Sequence, residues 1–153
     1  LSPITNKRED RFGGDWYGRG TLLFEIVSEI RNRYQNLKLS VRLPGQDYLE
    51  GGMTKSDSLK TCQRLEQLGV SIINVSSGIG GWRRPRNVIG EGYLVSDARF
   101  IQQKIGIPVI GVGGIKTKNY INNQLNANSF SFAAIGRGIL EDPSLGRELG
   151  IIQ

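Results

Sequence analysis

Four short apolar runs recur along this chain, each followed by a stretch of helical spacing, and that alternation limits the fold more than any other feature. The runs are residues 39–43, 70–75, 109–112 and 132–135. Ahead of the first, Thr21 caps an expected helix with Leu22, Leu23, Ile26, Val27 and Ile30 at helical spacing. After it, Thr54 or Ser56 caps a second helix that turns Leu59, Cys62, Leu65 and Leu68 inward and ends at Gly69. A third is expected over 93–105, with Leu94, Ala98, Ile101 and Ile105 on one face. A fourth covers 118–125, and a short helical stretch follows Pro143. The order α-βα-βα-βα-βα predicts a parallel sheet with right-handed crossovers. The runs are mostly apolar rather than cleanly alternating, as expected when both faces of a sheet are covered.

Four βα units amount to half of a (β/α)8 TIM barrel, and 153 residues fall short of the roughly 250 that a complete barrel takes. The rival is a doubly wound sheet, which puts its phosphate loop after the first strand. Here the strongest glycine signals follow the last two. The expected class is therefore α/β, with residues 1–153 forming the C-terminal half, strands five to eight, of one barrel domain.

Those two signals are Gly113-Gly114 and Gly136-Arg137, each closing an apolar run where a helix should start. Consecutive turns of this kind build a phosphate site. Glycine lets backbone N–H groups approach the anion, a helix N-terminus adds partial positive charge, and Arg137 supplies a guanidinium fork. The bland alternative is two tight turns and a surface charge. Arg42 lies near the end of the first run, where a buried arginine is costly unless an anion meets it. It either faces a ligand or pairs with Asp47 or Glu50. Asn74, Ser76, Ser77 and Gly78 end the second run and either line the mouth or make an ordinary loop. The basic run Trp82-Arg83-Arg84-Pro85-Arg86 reads as a loop over the mouth rather than a nucleic-acid patch, since it lacks a stacking platform.

Composition narrows the chemistry further. Histidine is absent, which removes the commonest general base and metal ligand from this segment. A single cysteine, Cys62, leaves no internal disulfide and no multi-cysteine metal site, so no metal is expected. The net charge of +6 suits phosphate ligands as well as plain solubility. No apolar run approaches the ~18 residues of a membrane helix, and no signal peptide is visible, so a cytoplasmic protein without membrane contacts is expected. The chain opens at Leu1, without methionine, in what reads as an active-site loop, as a piece of a longer protein would.

The segment Ser2-Pro3-Ile4-Thr5-Asn6-Lys7-Arg8-Glu9-Asp10-Arg11-Phe12-Gly13-Gly14 resembles the S-P-x-x-N-x-R-x-D-x-Y/F-G-G stretch of the old yellow enzyme family of flavin oxidoreductases. In the family's order, Ser40-Val41-Arg42-Leu43 resembles strand five. The run ending in Ser76-Ser77-Gly78 resembles strand six, and Gly92-Tyr93-Leu94-Val95 resembles the opening of the next helix. Residues 109–115 and 135–140, with Asp142-Pro143, resemble strands seven and eight. The resemblance implies FMN at the barrel mouth, its phosphate on Gly113 and Gly114 with Gly136 and Arg137 completing the site. It places Arg42 at the pyrimidine edge, where negative charge accumulates on reduction. It also implies NAD(P)H as reductant and hydride transfer through flavin N5 to an activated alkene, an α,β-unsaturated carbonyl or similar small molecule.

In the family, the histidine-containing pair that grips the substrate and the tyrosine proton donor precede the Ser-Pro segment. No catalytic residue is therefore assigned, and the isolated chain is expected to be inactive. The family's Ser-x-Glu-Asn-Arg stretch is Asp15-Trp16-Tyr17-Gly18-Arg19 here, so only Arg19 matches. The alternative is a non-catalytic phosphate-binding half-barrel that dimerises, or joins the other barrel half, to cover its sheet edges. A third reading, a barrel aldolase or isomerase, lacks a lysine or histidine at any of the four strand ends.

Overall fold

A computed structural model describes residues 1–81 and 89–150. The elements follow in the order α1 (Trp16–Arg33), β1 (Ser40–Pro44), α2 (Lys55–Gln67), β2 (Ile72–Ser76), a 3-10 turn (Ile79–Gly81), α3 (Val95–Gln102), β3 (Val109–Gly111), α4 (Lys118–Asn126), β4 (Phe132–Ala133), α5 (Arg137–Glu141) and α6 (Leu145–Glu148). The strands form one sheet in the order β1-β2-β3-β4. Every pairing is parallel, with Arg42 opposite Asn74, Asn74 opposite Ile110, and Ile110 opposite Phe132. A doubly wound sheet reverses its strand order at a switch point. This sheet never reverses, as an arc of a barrel requires.

Helices cover one face of the arc. Leu43, Ile73, Val75 and Val109 point into a core with Phe24 and Val27 of α1, Cys62 and Leu65 of α2, and Ala98 and Ile101 of α3. The alternate residues look the other way, and there Arg42 and Phe132 are exposed. The expectation of two covered faces therefore fails among the described residues. The runs are largely apolar because this inner face carries Ile110 and Phe132 beside Arg42 and Asn74, not because helices lie on both sides.

Most elements lie where periodicity predicts them. Thr54 caps α2 with a full capping box to Asp57, and Gly69 follows it at φ +84°. Helix α1 departs from expectation, starting at Trp16 instead of Thr21. Its cap is Asp15, whose carboxylate accepts from the amides of Tyr17 (3.0 Å) and Gly18 (2.9 Å). The early glycines weaken helix propensity, but Gly20 lies under the Phe24 ring, where a Cβ would come within 2.6 Å. The helix is also rotated, so that Leu22 and Ile26 are exposed while Phe24 and Val27 are buried. Helix α3 begins two residues later than expected, with Leu94 as its cap, and the Tyr93 amide ahead of it donates to the Gly113 carbonyl (2.9 Å).

The N-terminal segment is anchored rather than loose. Arg19 donates to the carbonyls of Leu1 (2.7 Å) and Gly14 (2.5 Å), and Asn6 donates to the Phe12 carbonyl (2.8 Å). At the C-terminal end of β1, buried Asp47 accepts from the amides of Met53 (2.7 Å) and Ile79 (3.3 Å). Asp97 of α3 accepts from Gln46 (2.9 Å) and Tyr48 (2.6 Å) and pairs with Lys55 (2.8 Å). These two carboxylates tie the loop after β1 to α2, α3 and the turn after β2. No helix among the described residues is long and apolar enough to cross a membrane.

Candidate functional site

The C-terminal ends of the four strands open into one cleft of about 910 Å³. Arg42, Gly113, Gly114, Gly136 and Arg137 all line it, so residues from β1 and from the turns after β3 and β4 share one wall. Ser76 and Ser77 join them, whereas Asn74 and Gly78 do not. A smaller cavity of about 360 Å³ lies apart, against the N-terminal segment.

Arg42 makes no ion pair with Asp47 or Glu50 among the described residues. Its guanidinium is exposed and donates to Ser76 Oγ at 3.0 Å. Asp47, one of its two candidate ion-pair partners, is instead turned inward to the amides of Met53 in its own loop and of Ile79 in the turn after β2. The cation thus stands at the mouth, steadied by a neutral hydroxyl. Asn74, its register neighbour, keeps a buried Oδ1 without a hydrogen-bond partner among the described residues.

The turn after β3 needs its glycines. Gly113 has φ +122° and Gly114 φ +70°, a region that a Cβ makes costly. A Cβ on Gly113 would also lie 2.8 Å from the Leu94 amide nitrogen. The helix beyond this turn is less available to an anion than the sequence suggests. Glu91 accepts from the amides of Lys116 (2.6 Å) and Thr117 (2.8 Å) and from Thr117 Oγ1 (2.7 Å). Its carboxylate therefore occupies the N-terminus of α4. Burial pushes the Glu91 pKa up, but these hydrogen bonds outweigh it and hold the carboxyl below its ordinary range.

The turn after β4 keeps its helix start open. Helix α5 begins at Arg137 with Gly136 as its cap, and no side chain bonds the cap position. The Ile139 amide already donates to the Gly136 carbonyl (3.1 Å), and the amides ahead of it in the turn have no side-chain cap. A Cβ at Gly136 would meet nothing within 4 Å, so this glycine leaves room above the turn rather than relieving a clash. Arg137 is exposed, and its Nη2 donates to Tyr93 Oη at 2.7 Å.

Tyr93, Lys116 and Glu141 line the cleft and were missed by sequence reasoning as parts of the site. Gly92-Tyr93 was visible only as the start of a helix. The basic run from Trp82 to Arg86 lies outside the described residues. Among the described residues, no cluster of three His, Cys, Asp or Glu side chains is disposed to hold a metal ion.

The NADH:flavin oxidoreductase / NADH oxidase family model matches residues 1–150. A metal reductase from Desulforamulus reducens is 34% identical over 152 residues, covering 95% of this chain and 22% of that protein. An NADPH dehydrogenase from Geobacillus thermodenitrificans is 31% identical over 155 residues, covering 99% of this chain and 45% of that one. The chain thus spans less than half the length of these relatives. Among solved structures, a 2-naphthoyl-CoA reductase superposes with a TM-score of 0.84 at 21% identity, over 99% of this chain and 24% of that one. Morphinone reductase does so at 0.72 and 19% identity, over 96% and 38%. These likenesses give the arc its larger frame, half of a TIM barrel. By fold and by sequence along nearly its whole length, the chain belongs to the NADH:flavin oxidoreductase / NADH oxidase family.

Proposed function

We propose that this chain carries the FMN-phosphate half of an NAD(P)H-dependent flavin oxidoreductase whose acceptor is an activated alkene, such as an α,β-unsaturated carbonyl. One observation supports the reading above the others. Five residues from three separate segments, Arg42, Gly113, Gly114, Gly136 and Arg137, line a single cleft.

The residues present fit the cofactor. Two glycines at positive φ present backbone to the cleft without side-chain bulk, and a helix start lies open beside a guanidinium. Such a set suits a phosphate dianion. In the same cleft, Arg42, hydrogen-bonded to Ser76, supplies a cation for the flavin's pyrimidine edge. Bound FMN supplies the hydride relay between nicotinamide and acceptor. This chain's share is to hold the phosphate, to set the ring edge against Arg42, and to favour negative charge there.

Titration of FMN into the purified chain, with riboflavin as control, tests the assignment. Saturable binding of FMN and markedly weaker binding of riboflavin is the expected result. Equal affinity for the two would remove the glycine turns and Arg137 from the site.

A further inference from the structure

Arg137 sits at the rim with a long, exposed side chain. Left alone, such a side chain samples many rotamers, and ordering it on a ligand carries an entropic cost. Here it is not alone. Its Nη2 donates to Tyr93 Oη at 2.7 Å across a sequence separation of 44 residues.

Tyr93 is itself anchored. Its backbone N–H is held by the Gly113 carbonyl at 2.9 Å, so the tyrosine is attached to the first glycine turn while its hydroxyl reaches the second. On one side, Leu94 backs directly onto Gly113, where no Cβ fits. On the other, Glu91 is bound by three hydrogen bonds to Lys116 and Thr117. Gly92 lies against the Tyr120 hydroxyl, where a Cβ would come within 1.8 Å. The segment 91–94 is therefore a strap that joins α4, the turn after β3 and the turn after β4. Both Tyr93 and Arg137 line the cleft.

We propose that Tyr93 is a positioning residue, which holds the Arg137 guanidinium over the cleft in advance and so sets the preference for a phosphorylated ligand over its unphosphorylated counterpart. The inference rests on the phosphate role proposed for Arg137 above. One hydrogen bond to the phenol leaves the remaining N–H donors of the guanidinium for an anion. The gain comes from preorganisation, since the ligand no longer has to order the arginine. The phenol touches no flavin ring in this scheme, so its removal affects only ligands that carry the phosphate.

The test measures dissociation constants of FMN and riboflavin for four forms of the full chain: wild type, Tyr93→Phe, Arg137→Ala and the double variant. Phenylalanine keeps the ring and removes only the hydroxyl. The expected result is an FMN affinity about three- to tenfold weaker in Tyr93→Phe, the range of one ordinary hydrogen bond, with riboflavin unchanged. In the Arg137→Ala background the same substitution should have no further effect, because a residue acting through Arg137 loses its route. Parallel loss for both ligands would assign Tyr93 a purely structural role and overturn the proposal, as would unchanged or tighter FMN binding. Additive effects in the double variant would overturn it too. If Arg137→Ala itself leaves FMN binding intact, the phosphate reading falls and this inference falls with it. Thermal unfolding of each variant separates a folding defect from a binding one, and a lowered melting point with an unchanged FMN-to-riboflavin ratio also counts against the proposal.

Discussion

The layer built from α1, α2, α3 and the first three strands and the segment from α4 onward are held together by different means. In the first, Cys62, Leu65, Ile73, Val75, Ala98 and Val109 are completely buried and interlock across strands and helices. In the second, α4 and α5 contribute no buried residue; Phe130 packs with Ile115, ahead of α4, and with Val95 of α3, and α6 buries Leu145. Beside this smaller core, the second region is held by hydrogen bonds from the strap at 91–94 to Gly113, Lys116 and Thr117. The cleft lies mainly on that side. A phosphate site needs bare backbone N–H groups and open space, which a packed apolar core cannot supply. The packed layer serves as a base, and the thinly packed part carries the chemistry.

The sharpest way to break this division is to damage the packed layer and examine the cleft. Leu65 is fully buried in α2. Leu65→Ala should destabilise the fold by about 2–5 kcal/mol through lost transfer energy and a residual cavity. Below the melting transition, the ratio of FMN to riboflavin affinity should stay at its wild-type value. A change in that ratio, read by fluorescence titration, would show that core and cleft are coupled and that the comparison is false.

The converse substitution acts on the cleft alone. Arg137→Ala should leave the melting temperature within about one degree, since the side chain is exposed and surface changes are usually worth under about 0.5 kcal/mol. It should weaken FMN by about 1.5 kcal/mol, the lower end of the range for hydrogen bonds to charged groups, because solvent screens the site. Calorimetric titration of FMN and a thermal melt on one preparation check both halves.

The same division explains what could be read from sequence. The βα alternation and the core of α2 and α3 were legible because buried apolar periodicity is a local signal: Cys62, Leu65, Ala98 and Ile101 turn inward as spacing requires. Gly113, Gly114, Gly136, Arg137 and Arg42 were legible because backbone and charge requirements also leave local traces. The start of α1 was not, since Gly18 and Gly20 weaken a helix by propensity and are justified only by contacts with Gly13 and Phe24. The start of α5 after Gly136 was legible from its glycine turn, but its extent was not, because five residues hold no periodicity. The role of Tyr93 was hidden for a third reason, as its partner lies in another βα unit. That Glu91 blocks the N-terminus of α4 was equally invisible, its partners being 25 and 26 residues away.

Glu91 provides the smallest and most specific test of how the thinly packed side is held. Its carboxyl is less acidic for being partly buried, but the hydrogen bonds from Thr117 and Lys116 prevail and its pKa in the folded chain lies below the ordinary 4.5. A carboxyl with a depressed folded-state pKa binds its proton more readily in the unfolded chain. Its contribution to stability is therefore complete above pH 4.5 and is lost as pH falls through the lower folded-state value. Glu91→Gln keeps an acceptor at α4 but removes the charge that complements the helix end, an effect of about 0.3–1 kcal/mol. At pH 7 the variant should melt slightly below wild type. As the medium is acidified from pH 5 toward pH 3, the two curves should converge, because protonation makes the wild-type side chain neutral as well. Melting curves recorded across that range decide the matter. A gap that stays constant with pH would mean that the glycine turn owes nothing to the charge on Glu91, and that its three hydrogen bonds act by geometry alone.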